Sequence, residues 1–270
     1  MKIVVALPGQ GIGIEVVEAT CELLVGTGLP LKILTPAPRQ SPARGDQPRG
    51  ARRADGVLFG AAGPSTSNVV SWLRWEMAAW AGVRPIRIYP GMRSPLADPE
   101  GIDYVLVREN SEGIYPGREG ELADLVRLMP DLADRTGRKV KDFGTDGRFA
   151  VKIVTAKGAK RSVREAGGLE FEHFHVDDAA RRLVRFPRSM DVVLCMNLYG
   201  DILSDLGAET AGGLGLALSG NFGDNWAYFE SVHGSAPAIA GKGIANPTAT
   251  ILSAALMLEH LGMDAEAQRT

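Results

Sequence analysis

Short apolar runs separated by turn signals dominate the first sixty positions. Residues 2–7, 31–34 and 56–60 are short runs rich in Val, Ile, Leu and Phe that read as strands, the first of them as a buried one. Between the first two runs, residues 14–25 repeat apolar positions at helical spacing, and residues 8–13 form a glycine-rich turn ahead of them. Strand, turn and helix in this order predict an α/β fold with an open sheet. The same reading predicts a helix over 69–81, with Trp72, Trp75 and Trp80 on one arc as core, and a strand over 103–107. It predicts a strand over 149–155, a helix over 158–165, a strand over 169–176, a buried parallel strand over 192–196 and an apolar helix over 249–261. Residues 35–53 read as an irregular loop rich in Pro, Arg and Gly. Residues 118–147 are charged and poorly periodic, and the glycine-rich stretch 212–223 reads as flexible.

Candidate chemistry concentrates in residues 191–205, DVVLCMNLYGDILSD. After the apolar run, residues 197–200 turn the chain, and a helix begins that carries Asp201 and Asp205 at i and i+4. That spacing puts both carboxylates on one face, near the carboxyl end of a strand, where open α/β sheets bind ligands. Paired hard oxygens suit Mg²⁺ or Mn²⁺. Acidic residues in a first helical turn are also favoured by capping and by the macrodipole, so the pair alone leaves both explanations open. The glycines at 9, 11 and 13 are spaced G-x-G-x-G rather than G-x-G-x-x-G, so the dinucleotide fingerprint is absent and a tight strand-to-helix turn is the expectation, with a minor cofactor role open.

Composition narrows the class of partner. The chain has 270 residues, 45% hydrophobic and 23% charged, with a net charge of −2. That balance gives no basis for nucleic-acid or anionic-membrane binding, and 270 residues suffice for one large domain or two modest ones. No signal peptide or bilayer-length apolar stretch is read, which makes the cytoplasm the expected location. Cys21 and Cys195 are read as small core residues rather than a disulfide or metal pair.

The stretch NLYGDILSDLGA, followed by ESVHGSAPAIAGKGIANPTATILSAALMLEHLG, resembles the metal-dependent β-decarboxylating dehydrogenases, a family that includes isocitrate, isopropylmalate, homoisocitrate and tartrate dehydrogenases. The resemblance extends from ALPGQGIGIEV near the start to the last helix, with Gln10 and Ile14 standing where relatives carry an acid and a proline. It implies two lobes flanking a cleft: a cofactor side made of 1–82 plus 212–270, and a substrate, metal and dimerisation side made of 83–211. It implies that Arg74, Arg84 and Arg108 bind substrate carboxylates, for which guanidinium forks are suited. It implies metal ligands at Asp201 and Asp205, with Asp177 supplied by a neighbouring subunit, so that the active site is complete only in a homodimer. Tyr115 would protonate the enol left by decarboxylation. His233, Gly234, Ser235, Ala236 and Asn246 would hold the adenine end of NAD or NADP. The charged residues 118–147 correspond to an arm that clasps the partner subunit.

Three departures accompany the resemblance. The segment carrying the family's proton-abstracting lysine looks deleted at Gly167-Gly168, with Lys157 and Lys160 as possible replacements. Ala238 stands where NAD-using relatives have an Asp for the ribose hydroxyls, and no basic residue suggests NADP instead. The chain also ends at Thr270, soon after the last expected helix. Three functions therefore stay open: NAD(P)-linked oxidative decarboxylation of a 2-hydroxy acid, a shortened non-catalytic paralogue that binds a carboxylate or pairs with a full-length subunit, and a metal-dependent decarboxylase without NAD. Substrate choice in relatives is set just before the first arginine, here residues 65–71. Asn68 and the serines there lean towards a carboxylate or hydroxyl side group.

Overall fold

A computed structural model describes residues 1–36, 50–115 and 172–270, with the backbone of 119–121 and 148–150. Two compact units are present. The first comprises Met1–Ser111, His173–Cys195 and Tyr199–Thr270; the second comprises Glu112–Glu172 and Met196–Leu198.

The first unit is built on an eight-stranded mixed sheet. Strands β1 (Lys2–Gly9), β2 (Leu31–Leu34), β3 (Gly56–Ala61), β4 (Ala81–Arg87), β5 (Asp103–Glu109), β8 (Val192–Cys195), β9 (Leu218–Phe222) and β10 (Ala227–Ser231) lie in the order β2-β1-β3-β10-β9-β4-β5-β8. Pairing is parallel from β2 to β10, antiparallel through β9, β4 and β5, and parallel again between β5 and β8. The apolar runs of β1 and β3 are buried for the expected reason, whereas β2, at the edge of the sheet, is only partly covered. Neighbouring residues of β1 point to opposite faces, and Val4 and Val5 enter two different core clusters. On one face, helices α1 (Gly13–Gly26) and α5 (Thr248–His260) bring Leu24, Met257 and Leu258 against Leu58 and Phe229. On the other, Trp72 and Leu73 cover Phe59 and Tyr228. Each such apolar side chain taken out of water contributes about 1.5–3 kcal/mol. Helices α3 (Val176–Arg185) and α4 (Asn197–Thr210) place Leu183 and Leu203 on Ile86, Tyr104 and Leu106 of the far half of the sheet. The short α6 (Asp264–Ala267) buries Ala267 in the α5 cluster.

The second unit contains an antiparallel pair, β6 (Glu119–Glu121) with β7 (Arg148–Ala150), and the Asn197 amide donates to the Glu112 carbonyl at 2.8 Å. The expected strand over 149–155 and helix over 158–165 fall largely outside the described residues, as does most of the charged arm.

Five expectations are corrected. The helix expected over 69–81 is only α2 (Ser67–Ser71) followed by a π-helical turn, Trp72–Glu76. Ala78, at φ +54°, then turns the chain into β4, so Trp80 leaves the core arc, is half exposed, and donates its indole N–H to Asp224. The stretch 212–223 is not a flexible segment throughout. After Gly212 and Gly213, both at positive φ, it forms β9, which sits between β10 and β4. The run 192–196 is a parallel strand as expected, but β8 is the last strand of the sheet and Val192 and Leu194 are exposed. Residues 197–200 are the first turn of α4 rather than a turn before it. Val176 opens α3 instead of ending a strand, with His175 at the N-cap. Cys21 and Cys195 are free and only partly buried. Among the described residues, no helix is long and apolar enough to cross a membrane.

Candidate active site

Register brings the first two site residues together. In the antiparallel β4–β5 pair, Gly82 lies opposite Arg108 and Arg84 opposite Leu106, so Arg84 and Arg108 are diagonal neighbours on one face. Both are almost completely buried, at 3% and 1% exposure. Helix α4 packs over them because it carries glycine where it crosses the strand: a Cβ at Gly200 would lie 2.7 Å from Arg108 Cγ. That approach delivers Asp201. Its Oδ1 accepts from Arg84 Nη1 at 3.4 Å and from Arg108 Nη1, and Arg84 Nη1 also donates to the Ser204 hydroxyl. Two buried guanidinium charges thus face a carboxylate that remains about one-third exposed. Buried cations require such partners, since an unpaired charge in the interior is strongly unfavourable.

Asp205 lies one turn on and is exposed. Because α4 begins at Asn197, neither aspartate is in the first turn, and the macrodipole no longer explains them. Burial of its surroundings pushes the Asp205 carboxyl above its ordinary value, and the negative charge of Asp201 adds to this against the pull of Arg84 and Arg108. Two hard carboxylates on one helical face fit Mg²⁺ or Mn²⁺ by donor type. The described residues contain no group of three Asp, Glu, His or Cys that could hold a metal. Asp177 is exposed in the first turn of α3, outside any such group.

Arg74 is held elsewhere. The π-helical turn directs its guanidinium to β10, where Nε donates to the Tyr228 hydroxyl at 3.1 Å and Nη2 to Glu230 at 3.2 Å. Burial opposes its charge, but Tyr228 and Glu230 outweigh that and raise its pKa above the ordinary value. Burial raises the pKa of the Tyr228 phenol as well. Glu230, Tyr228 and Ser204 were not singled out in the sequence. The available signal was a charged residue inside the apolar run AYFES of β10.

At the other end of the sheet, the glycine-rich loop and the HGSAP loop are one construction. Gly9 and Gly11 have φ of +75° and +63°; a Cβ on the first would lie 2.1 Å from the Ala61 carbonyl oxygen, and on the second 2.0 Å from that of Ser235. The close approach allows Gln10 N–H to reach Ala61 O at 2.9 Å and Ile12 N–H to reach Ser235 O at 3.0 Å. The expected tight turn is therefore present, and it also fixes the second loop. Glu15 accepts from Gly241 N–H at 2.7 Å and extends the tie. Within the second loop, Ala236 sits at φ +38°, a backbone conformation L-residues rarely adopt and one that recurs at ligand sites. His233 Nδ1 lies 3.1 Å from the Gly234 carbonyl, and its buried Nε2 has no partner among the described residues. Burial lowers the His233 pKa. Asn246 Oδ1 accepts from Thr248 N–H at 3.1 Å at the start of α5. Tyr115 belongs to the second unit and is exposed. Lys157 and Lys160 lie outside the described residues.

The isocitrate/isopropylmalate dehydrogenase family model matches residues 44–166 and 147–270. The chain belongs to the isocitrate/isopropylmalate dehydrogenase family. The 3-isopropylmalate/3-methylmalate dehydrogenase of Methanocaldococcus jannaschii is 38% identical over 291 residues, covering 97% of this chain and 86% of that protein. The isocitrate dehydrogenase of Methylococcus capsulatus has a TM-score of 0.79 at 31% identity, covering all of this chain and 88% of that one. The TT0538 protein of Thermus thermophilus has a TM-score of 0.82 at 30% identity over 98% of this chain, which spans 59% of that protein's length. The α/β architecture is thus that of the isocitrate dehydrogenases. This family member is shorter inside the matched stretch: the M. jannaschii alignment runs over 291 positions against a chain of 270. The two family-model matches overlap at 147–166, the stretch that holds Lys157 and Lys160 and adjoins Gly167-Gly168.

Proposed function

We propose that this chain is a metal-dependent, NAD(P)-linked dehydrogenase that oxidatively decarboxylates a 2-hydroxy acid of the isocitrate, isopropylmalate or tartrate class. One observation carries the reading: Asp201 and Asp205 share a face of α4, and Asp201 meets the buried guanidinium groups of Arg84 and Arg108. When bound, NAD(P) would accept hydride and Mg²⁺ or Mn²⁺ would act as a Lewis acid on the negative charge that decarboxylation leaves. Asp201 and Asp205 would hold the ion, with Asp177 of a second copy as third ligand. Arg84, Arg108 and Arg74 bind and orient the substrate carboxylates. Tyr115 delivers its phenolic proton to the enol carbon. His233, Gly234, Ser235, Ala236 and Asn246 hold the adenine end of the cofactor, where the pinned backbone at Ser235 gives a rigid rim.

In this reading 1–82 plus 212–270 serve the cofactor and 83–211 serve substrate, metal and dimerisation. A homodimer is supported by exposed Val176, Val184, Phe186, Val192, Leu194 and Ile202 on α3, β8, α4 and the connection between them. Relatives named for isopropylmalate and for isocitrate leave the side group of the 2-hydroxy acid between an alkyl and a carboxylate. The polar residues 65–71 favour the carboxylate or hydroxyl. A base for the substrate hydroxyl would come from Lys157 or Lys160.

The shortening relative to the M. jannaschii protein favours a second reading, a non-catalytic paralogue that pairs with a longer subunit. NAD(P)H formation with Mn²⁺ across malate, tartrate, isocitrate, isopropylmalate and homoisocitrate separates the two. A metal-dependent rate on one of them is expected. Silence from folded, Mn²⁺-loaded protein would select the paralogue, and carbon dioxide release without NAD(P)H would select a decarboxylase.

A further inference from the structure

Glu230 is a carboxylate at 6% exposure in the middle of the sheet, and no step above uses it. Three donors converge on its Oε1: Arg74 Nη2, Asn221 Nδ2 and the Tyr228 hydroxyl, each at 3.2 Å. Asn221 in turn accepts from Asn110 Nδ2 at 2.8 Å through its own Oδ1. Asn110, Asn221 and Tyr228 are completely buried. The result is one hydrogen-bonded chain of five side chains. It starts at Arg74, passes through β10 and β9, and ends two residues beyond Arg108, immediately after β5. Buried polar chains of this kind rigidify what they connect; Arg74, Tyr228, Glu230 and Asn221 are tied by the bonds above, and Asn110 holds Asn221 through Nδ2 while its Oδ1 has no partner among the described residues.

The guanidinium geometry gives the chain a purpose. Tyr228 and Glu230 occupy the Nε–Nη2 edge of Arg74. The opposite edge, Nη1 with the second Nη2 hydrogen, is the one left to meet a carboxylate end-on, and 12% of the side chain stays exposed. Glu230 also offsets the charge of Arg74. What Arg74 then offers a ligand is a direction, set by which of its edges is already taken.

We propose that Glu230 and Tyr228 are positioning residues for Arg74: they fix its guanidinium so that the free edge is registered against the strand bearing Arg108 for a ligand with two carboxylates. The inference rests on the reading of Arg74 as a substrate arginine and names the residues on which that role depends. A backbone-held arginine would tolerate loss of either partner; an arginine held by this chain does not.

Calorimetric titration with malate, tartrate, isocitrate and 3-isopropylmalate in the presence of Mn²⁺ tests it in the wild-type protein, Tyr228→Phe, Glu230→Ala, Glu230→Gln, Arg74→Ala and the double variant Arg74→Ala/Glu230→Ala. Unfolding midpoints are measured alongside. Removing a hydrogen bond to a charged group predicts binding about 10-fold weaker in Tyr228→Phe, and weaker still in Glu230→Ala. Glu230→Gln, which keeps an accepting oxygen, recovers most of the loss. The decisive result is the cycle: in the Arg74→Ala background, Glu230→Ala has no further effect on binding. Equal losses in both backgrounds, or unchanged binding in Glu230→Ala, overturn the proposal. The expected cycle without NAD(P)H formation would leave the positioning role standing and remove the dehydrogenase reading. Turnover with an additive cycle would do the reverse. Wild-type protein that binds none of the four ligands overturns both.

Discussion

At the loop of Gly9, Gly11 and Gly13 the closest approach at each glycine is to a backbone carbonyl oxygen; at Asp201 the close approaches are charge on charge. The first region has no room for a Cβ, and its hydrogen bonds run between main-chain groups that any residue would offer. The second has one steric requirement, Gly200 against Arg108, and otherwise depends on which ionisable groups are present. The two should therefore fail differently. Damage to the glycine loop reaches the fold first and ligand binding through it. Damage at Asp205, which is exposed, should reach chemistry and leave the fold in place.

The largest expected effect is at the charged end. Asp205→Ala should reduce metal-dependent turnover by about a thousand-fold or more, since a site short of one ligand no longer orients the ion. Its unfolding midpoint should stay close to wild type. A rate that survives would remove this helix as the metal site, and a collapse in stability would break the contrast between the two regions. Next is Gly11→Ala, which combines φ +63° with a Cβ 2.0 Å from a carbonyl oxygen. A loss of about 3 kcal/mol or more in denaturant unfolding is expected, because the Ser235 backbone that a Cβ would strike cannot move aside cheaply.

A smaller effect concerns pH. His233 has a lowered pKa in the folded chain because it is buried, so the unfolded chain binds the proton more readily. Stability then rises with pH through the window just below the ordinary histidine value of about 6.5 and is lost as pH falls through it. Unfolding midpoints measured from about pH 7 to about pH 5 should fall less steeply in His233→Asn than in wild type. An identical slope would place the proton uptake elsewhere. The smallest effect sharpens the charged end. Burial pushes the Cys195 thiol up to about 11, although β8 is the last strand and its other face is exposed. At about pH 8 roughly one molecule in a thousand carries the thiolate, so alkylation by iodoacetamide should run about a hundred-fold slower than for a free thiol. Fast labelling would mean that β8 detaches from β5 beside Arg108.

Local signals were legible and distant ones were not. The i, i+4 aspartates needed only a helix, and a helix is there. The strand runs of β1, β3 and β8 could be read from apolar residues alone. The helix expected to continue to Ala81 stops because Ala78 turns left-handed and β4 must begin in time to pair with β9, a demand set roughly 140 residues later in the chain. The glycines of 212–223 suggested flexibility, yet Gly220 sits where a Cβ would lie 2.7 Å from the Phe222 ring and 3.0 Å from Leu256. There a missing side chain permits packing. Arg74 carries the clearest lesson. The family resemblance alone suggests a substrate role for it beside Arg84, whereas the partners that hold it, Tyr228 and Glu230, lie more than 150 positions away.

The sequence by itself determined the elements, the family and the chemical character of the site: apolar runs of strand length, a helix with two carboxylates on one face, three arginines, and glycines where turns are tight. Those follow from short-range sterics and from residue type, which the neighbouring residues already contain. Only the tertiary structure decided which groups meet. Strand register put Arg84 and Arg108 on one face, a glycine let α4 bring Asp201 onto them, and a buried carboxylate took hold of Arg74. Such encounters depend on pairing between segments far apart in the chain, and the favourable energy of each exists only once the rest of the sheet is in place.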